Sequence, residues 1–342
     1  MLNKLNKKLS RKFSLYSFNH VTHLTHLTHF LILGFIILSF CITVSAQEKE
    51  NKYTAQYLYT IENAGTKYNT FNTPSDISFD PNSNEIYVVD LGTKRVLSLD
   101  TNGVVTHEWK NFGKLQNPGS VAIDSRGNLY VGDIAEPEIV VLNYFGKVNR
   151  YLDLTSMVTT GSNNIRIHKL AVDKQDQLYI GDNQNNRIIV VDLFNDTVIC
   201  ELTGVPKSET AVTSITDMVF DAQGNLEVLD GGQNRIMVLT PVGELIRSFG
   251  ISGGTKYTLG MASGISYDPQ RKWTLVTDAT RHYVLVYDQY GECIYEFGGL
   301  GKRPGSFYFP RGITVDSNQH IYVLEPDMNR IQVFNVKKDY TE

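Results

Sequence analysis

Three cysteines in 342 residues exclude a disulfide-dense scaffold. No apolar run reaches the ~20 residues that a membrane-spanning helix needs; the longest, Phe30 to Val44, has 15. No stretch sustains the spacing of an amphipathic helix. No phosphate-cradling glycine loop is present, which removes the commonest signal of nucleotide binding. Beyond residue 46 there is no low-complexity tract, and histidine is thin there: His107, His168, His282 and His320.

The first 46 residues differ from the rest. They hold Lys4, Lys7, Lys8, Arg11 and Lys12 and no acid, then the apolar run, then Val44-Ser45-Ala46 before Gln47. A basic stretch, a short apolar core and a small-x-small site make a secretory signal peptide. The chain is therefore expected to be secreted, periplasmic or otherwise extracytoplasmic, with no stable membrane span after cleavage. About 29 residues precede the apolar core, so an uncleaved signal-anchor is the alternative. Cys41 follows Phe40, too large for a lipoprotein signal. His20, His23, His26 and His29 are three apart and drift around a helix of 3.6 residues per turn, so they share no tight metal-binding face.

Five of the 32 basic residues and none of the 36 acidic ones lie in this leader, so the remainder carries 27 against 36, a balance of −9. An acidic surface gives no basic face for nucleic acid.

Six segments after the leader repeat. Their first strands end at Asp80, Asp124, Asp173, Asp221, Asp268 and Asp316, spaced 44, 49, 48, 47 and 48 residues apart. Their second strands end at Asp90, Asp133, Asp182, Asp230, Asp278 and Glu325. Within each unit, short β-branched and aromatic runs are bounded by Gly, Asn and Asp, as strands joined by tight turns. Four strands per unit and six units predict an all-β fold, a six-bladed β-propeller of four-stranded antiparallel blades. The predicted single domain spans residues 47–342, with blades at about 72–112, 116–155, 165–204, 214–250, 262–298 and 309–340. Blade six lacks an outer strand of its own, whereas Tyr53 to Ile61 has no partner of its own. The N-terminal strand is therefore expected to complete blade six and remove an exposed edge.

The stretch GGLGKRPGSFYFPRGITVDSNQHIYVLEPDMNRIQVF, Gly298 to Phe334, resembles the NHL repeat. Blades three and four keep its N-R-I core at Asn186-Arg187-Ile188 and Asn234-Arg235-Ile236; blades two and five have Glu138 and Tyr283 in place of the arginine. The resemblance covers about residues 53–340 and implies the propeller, not an activity, since one fold hosts many functions.

Two sets of polar residues stand out. Asp90 with Arg95, Asp182 with Arg187, Asp230 with Arg235 and Glu325 with Arg330 share one spacing. Recurrence in most blades points to structural pairs that fix a loop, because a catalytic site needs unlike groups converging on one point. The second set is irregular. In the NHL arrangement, the residue five before each first-strand aspartate sits at the channel mouth: Ser75, Gly119, His168, Thr216, Ser263 and Arg311. One position later stand Asp76, Ser120, Lys169, Asp217, Gly264 and Gly312. Asp76, His168, Lys169, Asp217 and Arg311 are thus expected to ring the opening as a ligand-binding set.

Peptidyl-hydroxyglycine lyases are NHL-like propellers that hold zinc through histidines at this mouth. Only His168 matches such a position here, and catalytic zinc usually takes three protein ligands. The metal-binding motifs of gluconolactonase-like propellers are not matched, and neither a metal nor a cofactor is implied. NHL propellers of animal cytoplasmic regulators bind RNA on a basic face; the leader and the −9 balance count against that. Cys200 and Cys293 fall on outer strands of blades three and five, with blade four between them, so no disulfide is expected. Phe307 is assigned to packing, while Tyr68 and Tyr308 stay open between packing and recognition. The resulting expectation is a non-catalytic binding scaffold for a peptide, glycan or partner protein at the channel mouth. The alternative is a metal-assisted lyase or hydrolase.

Overall fold

The computed structural model describes residues 52–62, 70–110, 112–113, 115–158, 164–203 and 211–339. The leader, Tyr68 and the chain's last three residues lie outside them. The described residues form 24 strands in six four-stranded sheets, the expected six-bladed propeller. Each sheet is antiparallel, as in blade three, where Ile167–Val172, Gln177–Asp182, Arg187–Asp192 and Thr197–Thr203 lie in that order from the channel outward. A single helical turn, Leu154–Met157, interrupts the strand pattern after blade two; Asp153 caps it by accepting from Thr155 N at 3.0 Å.

The repeated first-strand aspartates explain why the inner hairpins turn where they do. Asp124 Oδ1 accepts from the backbone N–H groups of Arg126 and Asn128, both at 2.9 Å. Asp221 and Asp316 do the same for their own turns. A short acidic side chain thereby satisfies donors that no strand partner reaches.

Closure follows the expectation from sequence. Tyr53–Ile61 pairs antiparallel with Arg330–Lys338, from Tyr53 opposite Lys338 to Ile61 opposite Ile331. The sheet of blade six therefore joins the two ends of the domain and leaves its third strand no open edge. Six apolar clusters make the core, one at each junction between neighbouring blades. Phe307 is fully buried in the cluster between blades five and six, with Phe334 at 5.3 Å. Tyr308 is half-buried, and its backbone N–H donates to Glu325 Oε1 at 2.7 Å. Cys200 and Cys293 are free thiols on the outer strands of blades three and five.

Candidate binding site at the channel mouth

The inner strands begin opposite the ends of the second strands, for example Pro74 opposite Asp90. The start of each inner strand and the loop between second and third strands therefore share one face. In five blades the inner strand is irregular at one equivalent place: the register shifts across Ser75, Gly119, His168, Thr216 and Ser263. A bulge inserts one residue without a partner and re-aims the side chains around it. In blade six the strand begins later, at Ile313, and Arg311 N donates to Leu324 O at 2.9 Å.

The residues after the bulges turn inward and bind one another. Lys169 of blade three places Nζ 2.6 Å from Asp76 Oδ1 of blade one and 3.0 Å from Asp217 Oδ1 of blade four. All three side chains are largely removed from solvent. Asp76 Oδ2 also accepts from Ser120 Oγ at 2.7 Å and Val121 N at 3.0 Å, and Asp217 Oδ2 accepts from Ile265 N at 3.0 Å. Ser120 Oγ in turn accepts from Leu170 N at 3.1 Å. At three junctions, then, a side chain of one inner strand satisfies an edge N–H of the next.

Two carboxylates share one ammonium, and the electrostatics reflect it. Burial opposes charge on Lys169, but Asp217 and Asp76 outweigh it and hold the amine firmly protonated, above its ordinary range. Burial, with Asp76 adding to it, pushes Asp217 up against the opposing pull of Lys169 and the Ile265 N–H. The two shifts are compatible because the cluster holds one more acid than cation. Gly264 and Gly312 complete the ring without side chains; at Gly264 a Cβ would collide with the Arg311 carbonyl.

Of the five expected ring residues, Asp76, Lys169 and Asp217 thus close on each other inside the channel, whereas His168 and Arg311 are exposed. Blades three and six are opposite in a six-membered ring, so these two stand on opposite sides of the opening. Desolvation by the protein around the imidazole lowers the His168 pKa below the ordinary value, although the residue reaches solvent; Asp217 and Asp76 oppose this, while Lys169 and Arg166 add to it. Arg166, exposed beside His168, was not singled out from sequence. Its position before the repeat offered no register to flag it.

The acid–arginine pairs lie on the same face. Arg95, Arg187, Arg235 and Arg330 donate from Nε to Asp90, Asp182, Asp230 and Glu325 at 2.9, 2.9, 3.2 and 2.7 Å. The same acids accept backbone N–H groups from the segment entering their own inner strand: Asn72, Arg166, Ser214 and Tyr308. Each pair therefore fastens the entry loop to the blade. In blade five Tyr283 replaces the arginine, and Arg281 reaches in from the preceding loop. It pairs with Glu296 at 3.0 Å, at the register position where Glu108 and Glu201 meet Arg95 and Arg187. A cavity of about 790 Å³ opens on this face over blade five, lined by Lys256, Thr280, Arg281, Tyr283 and Glu296 among others.

Among the described residues, no group of three or more His, Cys, Asp and Glu side chains is placed to hold a metal ion. No helix among them is long and apolar enough to cross a membrane.

Residues 307–334 match the NHL repeat. Over 128 residues the chain is 26% identical to the Drosophila melanogaster protein brain tumor; the match covers 37% of this chain and only 12% of that protein. Among solved structures, a Bacteroides thetaiotaomicron protein of unknown function superposes with a TM-score of 0.64 at 14% identity, over 83% of this chain and 76% of that one. The virginiamycin B lyase of Staphylococcus aureus gives 0.57 at 12% identity, over 83% and 99%. At such identities the likeness is one of fold. A match to the family described as SdiA-regulated spans residues 49–286, and the chain belongs to that family, built as a six-bladed propeller with an NHL repeat in its last blade.

Proposed function

We propose that this chain is an exported, non-catalytic binding scaffold whose ligand docks at the channel mouth. The observation that carries the reading is the division of the ring. The inner charges satisfy one another, while His168 and Arg311 stay exposed on opposite sides above them. Lys169, held protonated between two carboxylates, has no lone pair to act as base or nucleophile. The exposed groups instead suit recognition: two arginines and an imidazole, set over a floor that is already paired. A peptide, glycan or partner protein presenting a polar or acidic group across the opening fits them. The acidic balance of the chain disfavours a long polyanion such as nucleic acid.

An array of peptides and glycans tests this when probed with the wild-type protein and with the His168→Ala/Arg311→Ala variant. At least one ligand should lose its signal in the variant while the melting temperature is unchanged. Binding that is indifferent to both residues contradicts the site. Stoichiometric zinc or calcium in the purified protein would favour a metal-assisted lyase or hydrolase instead. Export is tested by the N-terminus of protein recovered outside the cytoplasm, expected at Gln47.

A further inference from the structure

The face opposite the mouth carries the turns between first and second strands and between third and fourth. In blades one, two, three and six the residue at the centre of the second strand's apolar run is a fully buried tyrosine: Tyr87, Tyr130, Tyr179 and Tyr322. In blade four that position holds Glu227 and in blade five Leu275; the residue before it, Ile or Leu in the other five blades, is Thr274 in blade five. Between blades three and four, Tyr179 fills the junction by packing edge-on against Phe220, with 5.0 Å between ring centroids. One junction further on, Tyr267 stands where Phe220 stood, and Glu227 supplies no ring to meet it.

A cavity of about 300 Å³ lies at that junction, with Arg247, Tyr267, Thr274, Gln289 and Tyr290 in its wall. The apolar cluster joining blades four and five is the smallest of the six. Glu227 sits one hydrogen bond behind the wall, accepting from Thr274 Oγ1 at 2.7 Å through Oε2. Its other oxygen, Oε1, is buried without a partner, and so is Arg247 Nε. Leaving a buried donor and a buried acceptor unsatisfied is costly, and native structures rarely do so without water or a ligand to serve them.

We propose that this cavity is a second binding site, for a neutral polyhydroxylated ligand of monosaccharide size. A hydroxyl both donates and accepts, so a ligand hydroxyl can accept from Arg247 and donate to Thr274 Oγ1, the group through which Glu227 meets the wall. An anionic ligand would meet Glu227 and the neighbouring Asp221; a cationic one would meet Arg247 and Lys272. Tyr267 and the exposed ring of Tyr290 offer apolar faces for the C–H side of a sugar ring. The site is independent of the channel mouth and of any ligand bound there.

Saturation-transfer NMR and calorimetry with neutral hexoses, uronic acids and amino sugars decide the matter, using the whole secreted protein. A neutral hexose should bind in the millimolar range or better. Glu227→Tyr, which restores the repeat's own ring, and Arg247→Ala should each weaken it by about tenfold or more. His168→Ala should leave it unchanged, so failure here is separable from failure of the mouth. The proposal is overturned if no neutral sugar binds, if only charged sugars bind, or if neutral binding survives both cavity variants. Should Glu227→Tyr fail to fold, Arg247→Ala alone decides between the same outcomes.

Discussion

Replacing Lys169 by Met removes the one cation from between two buried carboxylates and keeps most of its volume. Both acids are bonded to the same nitrogen, at 2.6 and 3.0 Å, so those two oxygens lie at most about 5.6 Å apart. At an effective dielectric of about 20, two unit charges at that distance repel by about 3 kcal/mol. Removing one partner of a buried ion pair costs about 3–5 kcal/mol in proteins generally, which agrees. The loss also depends on pH. Asp217 is already displaced upward by burial, and without Lys169 it rises further. An acid whose folded pKa is raised binds its proton more tightly folded than unfolded. The fold therefore keeps this contribution below the unfolded value, about 3.9, and loses it as pH rises through the folded value. Urea denaturation of Lys169→Met should accordingly show a loss of about 3–5 kcal/mol at neutral pH and a smaller loss as pH falls towards the unfolded value. Adding Asp76→Asn and Asp217→Asn should recover only the part due to charge repulsion, because each acid accepts two backbone N–H groups through different oxygens, Ile77 and Val121 at Asp76 and Met218 and Ile265 at Asp217, and an amide offers one oxygen. A loss under about 1 kcal/mol, the worth of an exposed pair, or one that ignores pH, would refute the buried triad.

Arg187→Ala should cost about 3–5 kcal/mol, because it strands Asp182 and Glu201 together, while leaving ligand binding at the mouth unchanged; lost binding with an unaltered melting temperature would reverse its structural role. Burial pushes Glu227 up to about 7 from an ordinary 4.5. Its contribution is thus present below about pH 4.5 and lost as pH rises towards 7, so Glu227→Gln should stabilise the fold by up to about 3 kcal/mol at pH 8 and hardly at all at pH 4. Equal effects at both pH values would show that Glu227 does not titrate in this range. Cys200 and Cys293 should give the same thiol count in denatured protein before and after reduction, and two extra thiols after reduction would show a bridge. Burial raises both thiols, Cys293 to about 12, so alkylation of the native protein should be slow at neutral pH.

The propeller was legible because its repeat is carried by residues whose roles are local. Each first-strand aspartate closes its own turn, so its recurrence marks a hairpin wherever the chain places it. The closing strand was legible by subtraction: blade six ran out of chain while Tyr53 to Ile61 had no partner. The site was only half legible. Register placed Asp76, His168, Lys169, Asp217 and Arg311 at one level of the ring, but not the direction of their side chains. That direction depends on the bulges, which have no sequence signature here: the bulged residue is Ser, Gly, His, Thr or Ser. Consecutive residues therefore part company, His168 to solvent and Lys169 into the channel. Arg281 was missed for a related reason. Its guanidinium meets the outer-strand acid Glu296 and the Thr258 carbonyl, though not Asp278, from two positions before the motif arginine, and a fixed pattern reads that as a gap.

The account stands on where the ligand sits. A crystal structure with a peptide or glycan identified on the array should show it across the opening, contacting His168 and Arg311, with the Lys169 triad undisturbed beneath. A ligand on the outer strands of the blades, with the mouth empty, would contradict the account and leave the exposed histidine and arginine as an ordinary solvated rim.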